Sequence, residues 1–162
     1  MMTDQDRFEA LRGTKLAAEL TDDQCRTLAR QVAVRDLKQG EVLAREGAVD
    51  NHLYVILSGT LGVVKDAGTA DAITINTLAA GDFVGEMGFM DGSEAYASKV
   101  ALGDTRVLGI ERERLESLLA TDPLIVYRVM RAIIRVVHQI QRRLAMHQAE
   151  LSNYIYKQHG RY

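Results

Sequence analysis

The sequence has one cysteine, one proline and no tryptophan among its 162 residues. Because a disulfide needs two cysteines, Cys25 cannot form one within the chain, and such sparse cysteine usage fits a cytoplasmic location. A reactive thiol is the less favoured interpretation of Cys25. We expect its side chain to fill a contact between two helices.

Excess charge and long hydrophobic runs are also missing. The formal net charge is −2, which gives no general attraction for nucleic acid or for an anionic membrane. No apolar run is long enough to span a bilayer, and the first twelve residues lack the basic-then-apolar layout of a signal peptide. With 47% hydrophobic and 26% charged residues, the composition predicts one cytoplasmic globular domain without a membrane partner.

Histidines are few and scattered, which argues against a metal-dependent enzyme. The chain has four of them, His52, His138, His147 and His159, with no His-x-His pair. The lone cysteine has no evident base partner, and no pair of acidic residues stands out from the others. Catalysis is therefore not expected, and neither is a metal or another cofactor.

The N-terminal part has helical patterns. Residues 7–19 place apolar residues among charged ones at amphipathic spacing. A second helix is predicted to begin at Thr21, because Thr21 and Gln24 have the spacing of a capping box. Its apolar face is predicted to carry three residues, Leu28, Ala29 and Val32.

Between residues 34 and 110 the chain consists of short β-prone runs divided by glycines. The candidate strands are 42–43, 53–57, 60–64, 73–75 and 105–110. The glycines that separate the runs are Gly40, Gly47, Gly59, Gly68, Gly81 and Gly92. Many short strands at close spacing predict a sandwich or a closed roll rather than alternating βαβ units.

The C-terminal part predicts one long helix. Proline suits the first helical position, so Asp122-Pro123 indicates a helix start, and no further glycine or proline occurs before Gly160. We therefore divide the chain into 1–122, a roll with N-terminal helices, and 123–159, a long helix of the same domain.

Apolar residues recur along this helix at alternating spacings of three and four. We call this set the seam: Met130, Ile133, Val137, Ile140, Leu144, His147, Leu151 and Tyr154. Such a heptad pattern buries one stripe against a partner helix, so we expect the seam to form a homodimer interface. Three flanking residues, Val129, Ile134 and Val136, are expected to face the roll.

Three stretches, in this order, resemble the cyclic-nucleotide-binding family. They are 38–47, with Gly40-Glu41 and Glu46-Gly47; 53–59, ending in Ser58-Gly59; and 78–88, with Gly81-Asp82 and Gly85-Glu86. The third stretch is similar to that family's phosphate-binding cassette. The resemblance implies a catabolite-activator-like sensor domain: a mainly β, double-stranded β-roll (jelly-roll-like), flanked by N-terminal helices and a long C-terminal dimerisation helix.

The resemblance also implies a ligand site. Backbone N–H groups of the Gly85-Glu86 segment would approach a phosphate, and the Glu86 carboxylate would accept a hydrogen bond from the ribose 2′-hydroxyl. Met87 is a further candidate ligand-binding residue. The base would lie against the long helix, where Gln141 is the candidate reader. The alternative that Glu86 caps the short helix beginning near Met87 stays open.

One position departs from the family pattern. Where relatives carry an arginine that pairs with the phosphate, this chain has Tyr96, followed by Ala97 and Ser98. Residues 91–98 contain no positive charge, and strand alternation points Lys99 away from the face shared by Ser98 and Val100. Loss of a charge-assisted bond, worth about 1.5–3 kcal/mol, predicts roughly ten- to a hundredfold weaker binding.

Two functions remain open. The first is a regulatory module that binds a cyclic nucleotide or a related ligand (cyclic AMP, cyclic GMP or a cyclic dinucleotide) and signals as a homodimer. The second is a ligand-free, degenerate version of the fold that acts as a dimeric scaffold for a protein partner. Because the sequence stops at Tyr162 without a second helix pair, direct DNA binding is not expected.

Overall fold

A computed structural model describes residues 1–159 and begins with two short helices. Helix α1 spans Asp4–Arg12, a 3₁₀ turn follows at Lys15–Ala17, and α2 spans Asp22–Ala29. The predicted capping box at Thr21 is confirmed: the Thr21 hydroxyl accepts a bond from the Gln24 amide at 3.3 Å, and the Gln24 side chain accepts one from the Thr21 amide at 3.1 Å.

Two sequence-based helix boundaries are wrong. The helical pattern over residues 7–19 is interrupted after Arg12, because Gly13 favours helix termination and Thr14 is extended. Val32 is not on α2, which ends at Ala29. It opens the first strand instead, where it pairs with Ile110. A β-branched residue fits this paired, buried strand position well.

Cys25 lies on α2 and is fully buried among apolar side chains from the N-terminal helices and the roll. Burial raises the pKa of its thiol, so the thiol stays protonated at neutral pH. The expected packing role of Cys25 is therefore confirmed.

Eight strands form two antiparallel sheets. The strands are β1 Val32–Leu37, β2 Val42–Ala44, β3 His52–Ser58, β4 Thr60–Lys65, β5 Ile73–Ala79, β6 Phe83–Val84, β7 Ser98–Ala101 and β8 Thr105–Glu111. The first sheet has the order β1-β8-β3-β6 and the second the order β2-β7-β4-β5. This is the β-roll that the sequence predicted.

The first sheet is covered on both faces, which explains why the middle of β3 is a continuous run of apolar and aromatic residues over 53–57. Tyr54 and Ile56 belong to the cluster packed inside the roll, whereas Leu53 and Val55 belong to the cluster shared with the helices. Alternate residues of one strand thus serve two cores.

The turn between β3 and β4 requires glycine for two separate reasons. Gly59 has a φ of +87°, and a Cβ there would lie 2.4 Å from the backbone oxygen of Asp104. Gly68, in the hairpin loop between β4 and β5, has a similar φ of +83° but open space around it.

We expect Gly59→Ala to lower the free energy of unfolding by about 2–5 kcal/mol, since backbone strain and overpacking add. Gly68→Ala, which carries only the backbone strain, should cost about 1–2 kcal/mol. Urea unfolding followed by circular dichroism measures both. Equal losses would contradict the steric contribution at Gly59.

One further helix lies between β6 and β7, and two more follow β8. Helix α3 spans Glu86–Asp91, α4 spans Arg112–Glu116 and continues as a 3₁₀ turn over Ser117–Ala120, and α5 spans Pro123–His159. Gly160, which marks the predicted end of α5, lies outside the described residues. No helix within residues 1–159 combines the length and hydrophobicity needed to cross a membrane.

The first half of α5 packs on its own chain. Val129 and Val136, expected to face the roll, are buried in the cluster that the helices share with the roll. Ile133 is only 1% exposed, so it has no surface left for a partner. Met130 and Val137 of the seam pack against the same core. Ile134, which was expected on the roll face, is instead 46% exposed. The buried face of the helix passes through Ile133, so the side chain of the next residue, Ile134, is turned toward solvent.

The second half of α5 projects from the roll. From residue 138 to residue 158 every side chain is exposed. The five remaining seam positions, Ile140, Leu144, His147, Leu151 and Tyr154, all lie in this half. An apolar stripe is therefore presented on a helix that has little support from its own domain.

Candidate functional site

One row of residues across the second sheet forms a wall of a cavity of about 190 Å³. Ala44 pairs with Lys99, Lys99 with Val63, and Val63 with Asn76, so these four residues line the cavity from four adjacent strands. Because residues in register on neighbouring strands point to the same face, the wall follows directly from the strand pairing.

The other walls come from the cassette and from α5. The start of α3 contributes residues 85–88, and the loop before β7 contributes residues 93–96. Tyr54 lines the cavity from β3 of the first sheet, Asp50 from the loop before β3, and Ile140 from α5. The roll, the cassette and the long helix therefore all contribute residues to the same cavity.

The structure brings together only some of the residues predicted for the site. Gly85, Glu86, Met87 and Tyr96 line the cavity. Ala97 and Ser98 are buried and are not part of the lining; the Ser98 hydroxyl instead accepts a bond from the Glu46 amide at 3.0 Å.

On α5 the lining residue is Ile140, one position before the predicted reader Gln141. Helix register cannot be read from a motif spacing, and a one-residue difference turns the side chain by about 100°. An apolar side chain at this point can cover a flat base without reading its edge.

Lys99 corrects the expectation that no cation faces the cavity. As expected from strand alternation, the Lys99 side chain lies on the opposite face of β7 from Ser98 and Val100. This face is the one that borders the cavity. Lys99 is 9% exposed, and its ammonium donates a bond to the Ala97 carbonyl at 3.2 Å and lies 4.8 Å from the centre of the Tyr96 ring. Burial lowers the pKa of Lys99, and the negative charge of Glu86 partly opposes that shift.

Glu86 is the first residue of α3, and its carboxylate is not engaged. No hydrogen bond or ion pair joins it to any other of residues 1–159, and no side chain caps the start of α3. The interpretation of Glu86 as a helix cap is therefore wrong for this structure. A half-buried carboxylate at a cavity wall is free to accept a bond from a ligand hydroxyl.

The glycines of the cassette have a packing role. Gly85 has a φ of +81°, and a Cβ there would lie 2.8 Å from the His52 carbonyl oxygen. A Cβ on Gly88 would lie 2.8 Å from the Asp50 carbonyl oxygen. These glycines let the cassette pack directly against the backbone that leads into β3. The sequence alone suggested a different reason for glycine here, the close approach of a phosphate.

Sequence reasoning missed six polar residues of the lining: Asp50, Tyr54, Asn76, Ser93, Glu94 and Lys99. The Asp50 carboxylate accepts a bond from the His52 amide at 3.0 Å and lies 3.4 Å from the Tyr54 hydroxyl. Burial, together with the nearby Asp50 charge, raises the pKa of Tyr54 to about 12. Asn76 belongs to no motif, and only its pairing with Val63 on β4 places it at the cavity. Asp50 also belongs to no motif and lies in the loop before β3, so no local sequence signal marks it.

The rim that carries Tyr96 is held by backbone bonds. Gly47 donates to the Ala95 carbonyl at 2.7 Å, and Ala95 donates to the Ala48 carbonyl at 2.9 Å. Lys65, ion-paired with Glu46, also donates to the Tyr96 carbonyl at 3.1 Å. The Tyr96 side chain itself is 56% exposed, so it borders the cavity without filling it.

A two-sheet roll, a cassette at a cavity and a long C-terminal helix together define a sensor-type domain. Residues 34–122 match the cyclic nucleotide-binding domain family, and the chain belongs to that family. Among solved structures it is similar to a cyclic nucleotide-binding domain from Methylobacillus flagellatus, with 26% identity, 86% of this chain and 79% of that chain covered, and a TM-score of 0.73.

Curated relatives are longer than this chain. An uncharacterised NTE family protein of Mycobacterium tuberculosis is 29% identical over 83% of this chain, which spans only 22% of that protein. The cyclic AMP receptor protein of Thermus thermophilus is 29% identical over 60% of this chain and 45% of its own length. The chain thus spans about a fifth to a half of these relatives.

Proposed function

We propose that this chain is a regulatory sensor domain that binds a cyclic nucleotide in the cavity and signals as a homodimer. The observation that supports it most directly is an open cavity at the cassette, with the unengaged Glu86 carboxylate on one wall and the apolar side chain of Ile140 on another. A cyclic nucleotide offers a ribose hydroxyl to the carboxylate and a flat base to the apolar side chain.

The names of relatives support the same ligand class. The similar proteins include a cyclic AMP receptor protein and a CRP-like cAMP-activated transcriptional regulator. Because this chain spans 45% and 53% of those proteins, only the sensing part of their function is carried over. The proposal assigns neither catalysis nor direct DNA contact to residues 1–159.

Ligand binding should appear as thermal stabilisation. At a concentration one hundred times Kd, a ligand of the folded state adds about 2.7 kcal/mol, which raises Tm by roughly 5–10 °C for a domain of this size. We expect such a shift with cyclic AMP, cyclic GMP or a cyclic dinucleotide in differential scanning fluorimetry. Unchanged Tm with all three at millimolar concentration would contradict the proposal.

Glu86→Gln tests whether the bound ligand uses the cassette. The amide is a weaker acceptor than the carboxylate, so the variant should bind about tenfold more weakly. Glu94→Gln is the matched control, because Glu94 also borders the cavity and the substitution makes the same change of charge. Equal effects of both variants would indicate a general electrostatic effect and would count against a specific ribose contact.

The projecting half of α5 supports the dimer part of the proposal. Most of the stability of a helix in a protein comes from packing of its apolar face, and the projecting half of α5 has no such packing within its own chain. Leu144, Leu151 and Tyr154 are each more than 60% exposed, and a second copy of the helix would bury all three. The interface we propose runs from Ile140 to Tyr154 and leaves out the seam positions already packed on the roll.

Ile140 gives the proposed sensor a route from ligand to dimer. It borders the cavity and is also the first exposed position of the seam. A ligand that contacts Ile140 would therefore change the free energy of pairing at the adjacent seam positions, and pairing would change ligand affinity by the same factor.

One observation favours the scaffold function instead. Three carboxylates, those of Asp50, Glu86 and Glu94, border the cavity, and the residue at the arginine position is Tyr96. Negative charges around a phosphate site oppose binding of an anion. A dimer that shows no stabilisation by any cyclic nucleotide would support this second function.

A further inference from the structure

We propose that the Lys99 ammonium is the anion-binding group of the cavity and takes over the role of a cation at position 96. This assignment rests on the proposed function for the identity of the ligand, but the binding of an anion stands on the structure of the cavity. Lys99 lies on strand β7, which forms part of the cavity wall, whereas Tyr96 lies in the loop before β7, at the rim of the cavity.

The surroundings of Lys99 are unusual for a lysine. It is the one charged side chain among the buried residues of the described part of the chain. By contrast, Lys38 and Lys65 are exposed and form ion pairs with Asp104 and Glu46. No carboxylate within residues 1–159 lies within ion-pairing distance of the Lys99 ammonium.

An ammonium has three hydrogen-bond donors, and Lys99 uses one of them on the Ala97 carbonyl. Removing an ammonium from water without a counter-charge is costly, so its burial destabilises the empty domain. The Tyr96 ring at 4.8 Å offsets a part of this cost. An anion that enters the cavity can satisfy the remaining donors and compensate the charge.

The position of Lys99 also predicts how a ligand lies in the cavity. Lys99 stands on the β7 wall, and Glu86 stands at the start of α3 close enough for its charge to raise the pKa of the lysine. A ligand with one negative phosphate and a neighbouring hydroxyl can engage both groups at once. The phosphate would then face β7, and the hydroxyl would face α3.

The test compares the wild type with Lys99→Met and Lys99→Arg by calorimetry with cyclic AMP and cyclic GMP. Lys99→Met keeps the apolar volume without the charge, and we expect it to bind ten- to a hundredfold more weakly. Lys99→Arg restores a cation and should recover part of the affinity. Lys38→Met is the control, since it removes an exposed lysine outside the cavity.

A second readout does not depend on the proposed ligand. Dimethyl phosphate, a phosphodiester without sugar or base, is titrated while the backbone amide signals of residues 85–88 and 96–99 are followed by NMR. We expect shifts in the wild type and none in Lys99→Met. The empty Lys99→Met variant should also be at least as stable as the wild type, because it no longer buries a charge.

The outcomes separate the two proposals. Cyclic nucleotide binding that is unchanged in Lys99→Met overturns the role of Lys99 and leaves the proposed function standing. Shifts with dimethyl phosphate that require Lys99, without heat from any cyclic nucleotide, support the anion site and overturn the proposed ligand. If neither probe binds the wild type, both proposals are wrong.

Discussion

The double variant Leu144→Asp, Leu151→Asp is expected to convert a dimer of this chain into a monomer whose roll stays folded. Both residues lie in the projecting half of α5 and are more than 60% exposed. In a paired helix they would be buried, so the substitution would place four unpaired charges in one interface. The dimer dissociation constant should rise by at least about a thousandfold, the equivalent of roughly 4 kcal/mol. Sedimentation velocity at micromolar concentration measures the change.

Two single variants on the same helix act as controls. Ile133→Asp buries a charge in the core of its own chain and should unfold the domain rather than merely dissociate it. Ile134→Asp changes an exposed residue outside the seam and should affect neither assembly nor stability. A wild-type chain that sediments as a monomer would contradict the dimer, whatever the variants do.

The contrast between Ile133 and Leu144 shows what a heptad pattern can predict. Spacings of three and four identify the apolar stripe of a helix, but they do not distinguish contacts with the same chain from contacts with a partner. In this domain Met130, Ile133 and Val137 pack against the core of their own chain, and the stripe emerges into solvent at Ile140. The point at which the stripe becomes exposed is set by where α5 extends beyond the rest of its own domain.

The β-roll was predictable because its longer strands are bounded by glycines. β3 and β4 were placed to within a residue or two, since Gly59 marks the turn between them. β1 is absent from the predicted strands, because Val32 follows a helix without an intervening glycine. β6 was missed because two residues, Phe83 and Val84, are too few to show a period.

The candidate site was predictable only where a motif covers it. The cassette motif led to Gly85, Glu86 and Met87, which do line the cavity. The motif also drew attention to position 96 and away from Lys99, although alternation along β7 was assigned correctly. Which face of β7 borders the cavity depends on its pairing with Ala44 and Val63, and pairing between distant strands leaves no trace in local sequence.

Tyr96→Arg is expected to strengthen cyclic nucleotide binding about ten- to a hundredfold. The side chain of Tyr96 is largely exposed, and its backbone carbonyl is held by Lys65, so the exchange leaves the core and the rim in place. An arginine there offers a planar pair of donors to phosphate oxygens, worth about 1.5–3 kcal/mol as a charge-assisted bond. Calorimetry with cyclic AMP and cyclic GMP measures the gain, and Tyr96→Met controls for loss of the ring alone.

The gain from Tyr96→Arg should depend on Lys99. If the Lys99 ammonium already holds the phosphate, a second cation 4.8 Å from it, where the Tyr96 ring now lies, shares the same charge. The arginine should then add less affinity in the presence of Lys99 than in Lys99→Met, so the two substitutions are not additive. Additive effects would mean that the two positions contact different parts of the ligand. A folded Tyr96→Arg variant that gives no heat at millimolar nucleotide would show that the phosphate does not bind between Glu86, Tyr96 and Lys99.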